Sequence, residues 1–580
     1  FELSCNQFPG MLAPRGYEHL AGFEQSLFPV FDYEAGGVRL RKTVAALDGE
    51  NTTLVLYEVL EAPGPFLLSL RPFLAARDHH ALASADGELA ETGSFADGIL
   101  RLRPRGAEPE LFLQVPGADF RPGAGWYHRF EYEADRQRGF DYQEDLWTPG
   151  LFGVELAAGG QLGIVVSTGD PAGRDAFALL ARERKRREKL LGTLPEEERL
   201  VRALALAADG FLVGRGTGRS PVAVIAGYPW FGEQTRDTLI ALPGICLATG
   251  RFDDARKILR SLSRTVDGTA AIDVPLWLFV AVYKLLQTTG DEAFVRTLLP
   301  ALRKVVRAYD GARVDEDDLL VAVDPETPLT WMDGRIGGCP VTPRSGKPVE
   351  VEALWYNALA ILAELETRLG KPEEGERLAK RAKRVQKRFG ELFWNEEAGC
   401  LFDVVGDETR DASLRPNQVF ALSLPFPLLP KARAARVLAA IEEHLATPVG
   451  LRSLAPGEPG YRPSYTGGPA ERELAYHQGT VWSWLLGPYL TALARVQGPA
   501  GRKKARKLFA DLEPRLAEAG LGSLSEVYDA EPPHAARGCI ARAWTVGELL
   551  RAWSEDLREE PMDPPAKAPK KTRSRKKPEA

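Results

Sequence analysis

Two carboxylates stand in the two most site-like stretches of the 580-residue chain, about 190 residues apart. Asp333 lies in the segment LTWMDGR, Leu329–Arg335, and Glu526 in SLSEVYD, Ser523–Asp529. A distant pair of carboxylates among aromatic rings is the equipment of glycoside hydrolysis. One acid protonates a leaving oxygen, one base activates water, and flat rings receive sugar faces.

Other segments make poor core and good site. The stretch GYPWFGEQTRD, Gly227–Asp237, holds Tyr228 and Trp230 and ends on Arg236 beside Asp237 at a helix opening. Pyranose hydroxyls are bound by planar groups that donate and accept in pairs, and Arg beside Asp supplies both. Trp and Tyr offer an apolar face to the C–H side of the ring. The competing role is plain: Trp230 as packing, Arg236–Asp237 as a surface pair. The Asp333 segment runs on through Arg344 to a helix beginning near Glu350 and Glu352. Negative charge in a first helical turn is also favoured by the helix dipole, so those two glutamates have a second explanation. Trp355 and Asn357 follow within two turns, where Trp355 suits a core equally well. A polar helix opening, LRPNQ, occupies Leu414–Gln418. In AYHQGTVWSW, Ala475–Trp484, His477 is crowded by Tyr476, Gln478, Trp482 and Trp484, as a structural histidine or a sugar ligand.

Other chemistries lack their residues. The chain has no GxSxG elbow, phosphate loop, HExxH or paired-cysteine motif. Its seven histidines are scattered, so no metal and no organic cofactor is expected. Cys5, Cys246, Cys339, Cys400 and Cys539 are far apart, against a disulfide framework and in keeping with a reducing cytoplasm. Net charge is −6, but residues 561–580 carry seven Lys/Arg against two Asp/Glu, which leaves the rest at −11. So acidic a body argues against nucleic acid as partner. No apolar run reaches the roughly 18 residues of a membrane span. The chain begins at Phe1 with no leader pattern, and we expect it to be part of a longer protein.

The elements that must position these residues change character along the chain. Residues 1–175 read as a β-rich domain with short alternating runs at 38–44, 52–60, 100–102 and 111–115. Runs at 152–156 and 162–166 flank Ala157-Ala158-Gly159-Gly160, a hairpin signal. Many short strands suggest a sandwich. A charged helix over 176–194 is the expected linker. Across 195–560 about twelve amphipathic segments of helical length follow, two of them at 476–496 and 501–519, with stops at Gly250, Gly290 and Gly370. Paired helices with short links fit a toroid. The basic tail 561–580 cannot bury a core and is expected to be disordered.

Seven matches in order, YPWFGE at Tyr228 with RDT at Arg236, TWMD at Thr330, TPR at Thr342, LWYN at Leu354, RPNQ at Arg415, HQGTVW at His477 and SEVYD at Ser525, together resemble the amylo-α-1,6-glucosidase (glycogen debranching enzyme) family. The front part is similar to that family's N-terminal domain through GENTT at Gly49 and LRPFL at Leu70, without the usual Gly-rich opening. Ser483 stands where the family has Pro. The resemblance implies a multidomain α and β protein: an N-terminal β-sandwich followed by an (α/α)6 toroid related to glucoamylases. It implies Asp333 as general acid and Glu526 as general base of an inverting reaction. Arg236 and Asp237 would hold the terminal glucose with Trp230, Trp331 and His477. Tyr228, Asp273, Arg344, Glu352, Trp355, Asn357 and Gln478 complete the expected substrate-binding set. The substrate would be the single α-1,6-linked glucose left on a trimmed branch of glycogen or limit dextrin. Inversion needs room for a water, with carboxyl groups about 6.5–9.5 Å apart. The rivals are another exo-acting toroid glucosidase, on α-1,4 or trehalose-like links, and a glycan-binding protein without turnover.

Overall fold

The computed structural model describes residues 1–85, 89, 93–104, 109–192, 194–196, 198–215, 222–265, 271–322 and 329–558. The basic tail at 561–580 lies outside the described residues.

The N-terminal region is built of strands. A small pair, β1 (Cys5–Phe8) and β2 (Met11–Arg15), precedes the main sheet. That sheet takes β3 (Leu20–Gln25), β4 (Pro29–Ala35), β5 (Val38–Ala46), β6 (Thr52–Glu61), β8 (Ser94–Ala96), β9 (Ile99–Leu102), β10 (Leu111–Gln114) and β13 (Gln161–Ser167). Among the described residues its order is β3-β4-β5-β6-β13-β10-β9-β8, every ladder antiparallel. A second sheet orders β11 (Asp119–Glu131), β12 (Gln143–Leu156) and β7 (Phe66–Leu70). The period of two in β6 divides its side chains between two cores. Leu54 and Leu56 pack with Val165 and with Ala176 and Leu179 of the next helix. Val59 joins Leu40, Leu162 and Ile164 against Phe152, Val154 and Leu156 of the second sheet.

The hairpin expected around Ala157–Gly160 does not form. β12 pairs with β11 and β7, whereas β13 pairs with β6 and β10. The turn carries the chain from one sheet to the other. Its flanking apolar residues face one shared core from opposite sides, and hydrogen bonding them edge to edge would expose half of them.

Helices are α1 (Glu133–Gln137), α2 (Ala176–Leu191), α3 (Arg199–Phe211), α4 (Thr235–Leu242), α5 (Phe252–Thr265), α6 (Val274–Thr289), α7 (Glu292–Ala312), α8 (Val349–Leu369), α9 (Pro372–Leu392), α10 (Phe420–Ser423), α11 (Lys431–Ala440), α12 (Pro469–Tyr476), α13 (Leu486–Ala510) and α14 (Ala543–Ala552). Apart from α1, all lie from residue 176 onward, a part of the chain that is predominantly helical. Among the described residues α4, α6, α8, α10, α13 and α14 touch in a closed cycle, each against the next and α14 back against α4. Sequence explains which helices are inside. In α6 the unbroken stretch Pro275–Leu286 is buried, the signature of a helix wrapped on all sides. By contrast α9 buries only a stripe, Leu378, Arg381, Ala382, Val385 and Phe389, and covers α8 from outside. Ring members approach closely where side chains vanish. A β-carbon on Gly244, in the turn extending α4, would sit 1.7 Å from the Gly547 carbonyl of α14.

The helix expected at 476–496 begins ten residues late. Val481–Trp482 is a short strand between Gly450–Arg452 and Val527–Tyr528. The next helix, α13, runs from Leu486 to Ala510 with a break at Gly498, whose φ is 62°. Among the described residues no helix is long and apolar enough to cross a membrane.

Candidate active site

Helix beginnings converge on one end of the ring. Arg236 and Asp237 occupy the first turn of α4, Asp273 immediately precedes α6, and Arg542 precedes α14. Arg236 grips Asp273 with two parallel hydrogen bonds, Nε to Oδ2 at 2.8 Å and Nη2 to Oδ1 at 3.0 Å. Its remaining Nη1 donates to Asp333 Oδ2 at 3.1 Å. Asp237 turns the other way and pairs with Arg542 at 2.8 Å, and Arg542 Nε lies 3.5 Å from Glu526 Oε1. The two carboxylates singled out from sequence are thus tied to adjacent residues of one helical turn.

Their surroundings differ. The Asp333 side chain keeps 47% of its surface open, the exposure of a group facing a solvent-filled pit. The protein packed around that pit raises its pKa, Arg236 opposes the rise, and Asp273 adds to it. Glu526 is buried, with both oxygens engaged. Tyr476, at the end of α12, donates its hydroxyl to Oε1 at 2.6 Å, and the Cys539 amide donates to Oε2 at 3.0 Å. Gly538 makes the second bond possible: its φ is 65°, and a β-carbon there would lie 2.7 Å from Glu526 Oε2. Burial beside Glu526 holds the Tyr476 phenol well above its ordinary pKa, so it remains a donor. Burial likewise lifts Asp237 to about 6 against the pull of Arg542 and Arg236. Glu473 adds a third acid, raised by burial and by Asp333, and accepts the Arg335 amide at 3.2 Å.

Beneath this surface lies an aromatic and ionic support. Trp331 is buried edge-on to His477, Trp482 and Trp484, with its indole N–H on Asn417 Oδ1 at 2.8 Å. Asn417 Nδ2 donates to Asp403, which also receives Arg344 at 2.9 and 3.0 Å. Arg344 closes the cluster on Glu350.

Among the expected sugar ligands, Arg236, Asp237, Asp273, Asp333 and Glu526 come together, and Trp230 stands half-buried beside them. Several others are corrected. Trp355 is fully enclosed in α8, donates to the Asp318 carbonyl at 2.9 Å and carries Arg381 on its face, so it is core. Asn357 spends its amide on Phe426 and Ala353. Glu352 is buried on the Leu320 amide at 2.9 Å. Arg344 is saturated by Glu350 and Asp403. The Tyr228 side chain stacks on Phe211 and donates to the Gly210 carbonyl. Gln478 holds Arg415 at 2.8 Å. Trp331 and His477 lie one layer down: His477 is fully enclosed and stacked on Trp482, and burial pulls its pKa well down, leaving a neutral ring. Glu352, Trp355 and Asn357 lie in the first turns of α8, an inner helix buried nearly all round, which turns them inward. Tyr476, Glu473, Arg542, Asp403 and Asn417 were absent from the expected ligands. Tyr476 adjoins the expected His477, Asn417 lies in the RPNQ opening, and Arg542 had no local signal.

Residues 206–551 match the family described as amylo-alpha-1,6-glucosidase, and residues 1–162 match glycogen debranching enzyme N terminal. The glycogen debranching enzyme of Saccharomyces cerevisiae is 28% identical over 237 residues, 32% of this chain and 15% of that protein. The chain therefore spans a small part of that curated relative. A bacterial glucoamylase solved with acarbose superposes with a TM-score of 0.59 at 12% identity, covering 94% of this chain and 87% of that one, a likeness of fold. With its match across most of the helical region, the chain belongs to the amylo-alpha-1,6-glucosidase family of glycoside hydrolases.

Proposed function

We propose that this protein removes α-1,6-linked glucose from the branch points of an α-glucan such as glycogen or limit dextrin, by inverting acid–base hydrolysis on an (α/α)6 toroid. The observation that carries the reading is the contrast between Asp333 and Glu526. Asp333 is open to the pit with a raised pKa, suited to hold a proton for the departing O6. Glu526 is held by two donors with Arg542 beside it, an arrangement that orients its carboxylate toward an attacking water. Arg236, Asp237 and Asp273 form the alternating donor–acceptor floor that a glucose ring requires. Protonated Asp333 gives its proton to the glycosidic oxygen, and water activated by Glu526 attacks C1 from the opposite face. The closed cycle of six inner helices supports the toroid reading. Five free cysteines support residence in the cytoplasm.

The test is turnover of a glucosyl-branched dextrin by Asp333→Asn and Glu526→Gln. Each substitution lowers kcat by at least about 100-fold, the scale of general acid–base catalysis. Near-normal release of glucose by either variant would remove that residue from the chemistry.

A further inference from the structure

The loop between β11 and β12 leaves the N-terminal region and reaches the carboxylates. It is closed at its base by the Tyr132 amide on the Tyr142 carbonyl, 2.9 Å. Buried Glu144 fastens it by accepting the Tyr132 hydroxyl and Arg77. The loop contains α1 and then Arg138, Gly139 and Phe140. Gly139 abuts Gly468 backbone to backbone: a β-carbon there would stand 3.0 Å from Gly468 Cα. The Arg138 guanidinium lies flat against the site, its Cζ 3.5 Å from the centroid of the Trp230 ring. On its other side Phe140 is 5.1 Å away, and Arg472 sits 4.5 Å from that ring. Trp230, Arg138, Phe140 and Arg472 thus alternate ring and guanidinium, with Phe140 42% exposed and Arg472 buried behind it.

Arg138 is not bonded as a domain fastener would be. At the α2 junction Arg186 donates to Asp209 at 3.0 Å and Arg187 donates to the Leu27 carbonyl. Arg138 has no ion pair within 4 Å among the described residues, and its Nε and Nη1 are enclosed without a hydrogen-bond acceptor. Glu526 and Tyr465 act on it through space. With its Nε and Nη1 enclosed beside the Trp230 ring, the guanidinium has Nη2 left to donate to a neutral oxygen, and sugar hydroxyls supply these.

We propose that Arg138, delivered by the N-terminal domain, binds the glucan chain that carries the reacting glucose and so sets selectivity for polymeric substrate. This rests on the glucosidase reading above. The floor made by Arg236, Asp237 and Asp273 takes the reacting glucose, and the chain it is cleaved from leaves past the half-buried Trp230–Arg138 step. Arg138 is therefore a specificity residue for the leaving chain.

The experiment compares glucosyl-branched dextrin with α-glucosyl fluoride, which presents the same glucose with no chain beyond it. For Arg138→Gln, and in the same direction for Arg138→Lys, the ratio of kcat/KM on dextrin to kcat/KM on fluoride falls by about 10-fold or more, the scale of lost hydrogen bonds from a charged donor. The change lies mainly in KM. An unchanged ratio overturns the proposal, whether both activities fall together or neither moves. If Arg138→Gln does not fold, Phe140→Ala, which removes the ring beside Arg138, lowers the same ratio or overturns the proposal by leaving it unchanged. The debranching reading fails separately: wild type would then release glucose from linear maltotetraose and none from branched dextrin. In that case maltotetraose replaces dextrin in the ratio, and the same outcomes decide on Arg138.

Discussion

Tyr476 donates its hydroxyl to Glu526 Oε1 at 2.6 Å, and this bond joins the end of α12 to the candidate base just ahead of the strand Val527–Tyr528. It fixes the carboxylate's plane relative to the pit, and its donor is held protonated by burial.

Removing that donor tests the alignment. Tyr476→Phe keeps the ring, which packs on Tyr465, His477 and Trp482. We expect kcat to fall about 10-fold, equivalent to one hydrogen bond to a charged group, with little change in thermal stability. Steady-state kinetics beside a thermal melt separate the two effects.

Asp273 shapes the acid limb. Its negative charge raises the Asp333 pKa and also draws Arg236 away from Asp333. Replacing it by Asn lowers the Asp333 pKa by both routes. The acid form of Asp333 then disappears at lower pH, so the alkaline limb of the kcat profile of Asp273→Asn moves toward acid. A limb that stays in place, or moves to higher pH, would contradict Asp333 as the proton donor.

Trp355 distinguishes core from sugar platform. Trp355→Phe loses the bond to the Asp318 carbonyl and part of the contact with Arg381. We expect a loss of about 1–3 kcal/mol in unfolding free energy and a KM for dextrin within about twofold of wild type. A KM raised tenfold without loss of stability would return Trp355 to the binding surface.

Much of the helical architecture was legible because its signals are local. Gly290 caps α6 in the left-handed conformation, φ 63°, at the stop its sequence announces. The Asp333 and Glu526 segments stood out in the sequence because their mix of carboxylates with aromatic and small residues suits neither a plain helix nor a strand. What stayed hidden depends on contacts across hundreds of residues. The pairing of Arg542 with Asp237 and Glu526 links positions about 305 and 16 apart in sequence, and no periodicity encodes it. The Ala157–Gly160 turn fails as a hairpin for the same reason: turn chemistry specifies a reversal, and the shared core decides which sheet receives each strand. Trp355 and Asn357 looked like site residues since polarity and aromaticity alone do not say which way an inner helix faces. Arg138 was out of reach because it arrives from another domain.

The stereochemistry of the first product tests the central claim most directly. Proton NMR would follow the anomeric signals while the wild-type protein acts on a dextrin bearing single α-1,6-linked glucose stubs. Attack by water from the face opposite O6, with Asp333 as acid and Glu526 as base, yields β-glucose first, followed by mutarotation. Initial release of α-glucose, or no glucose from the branched dextrin, would contradict the account.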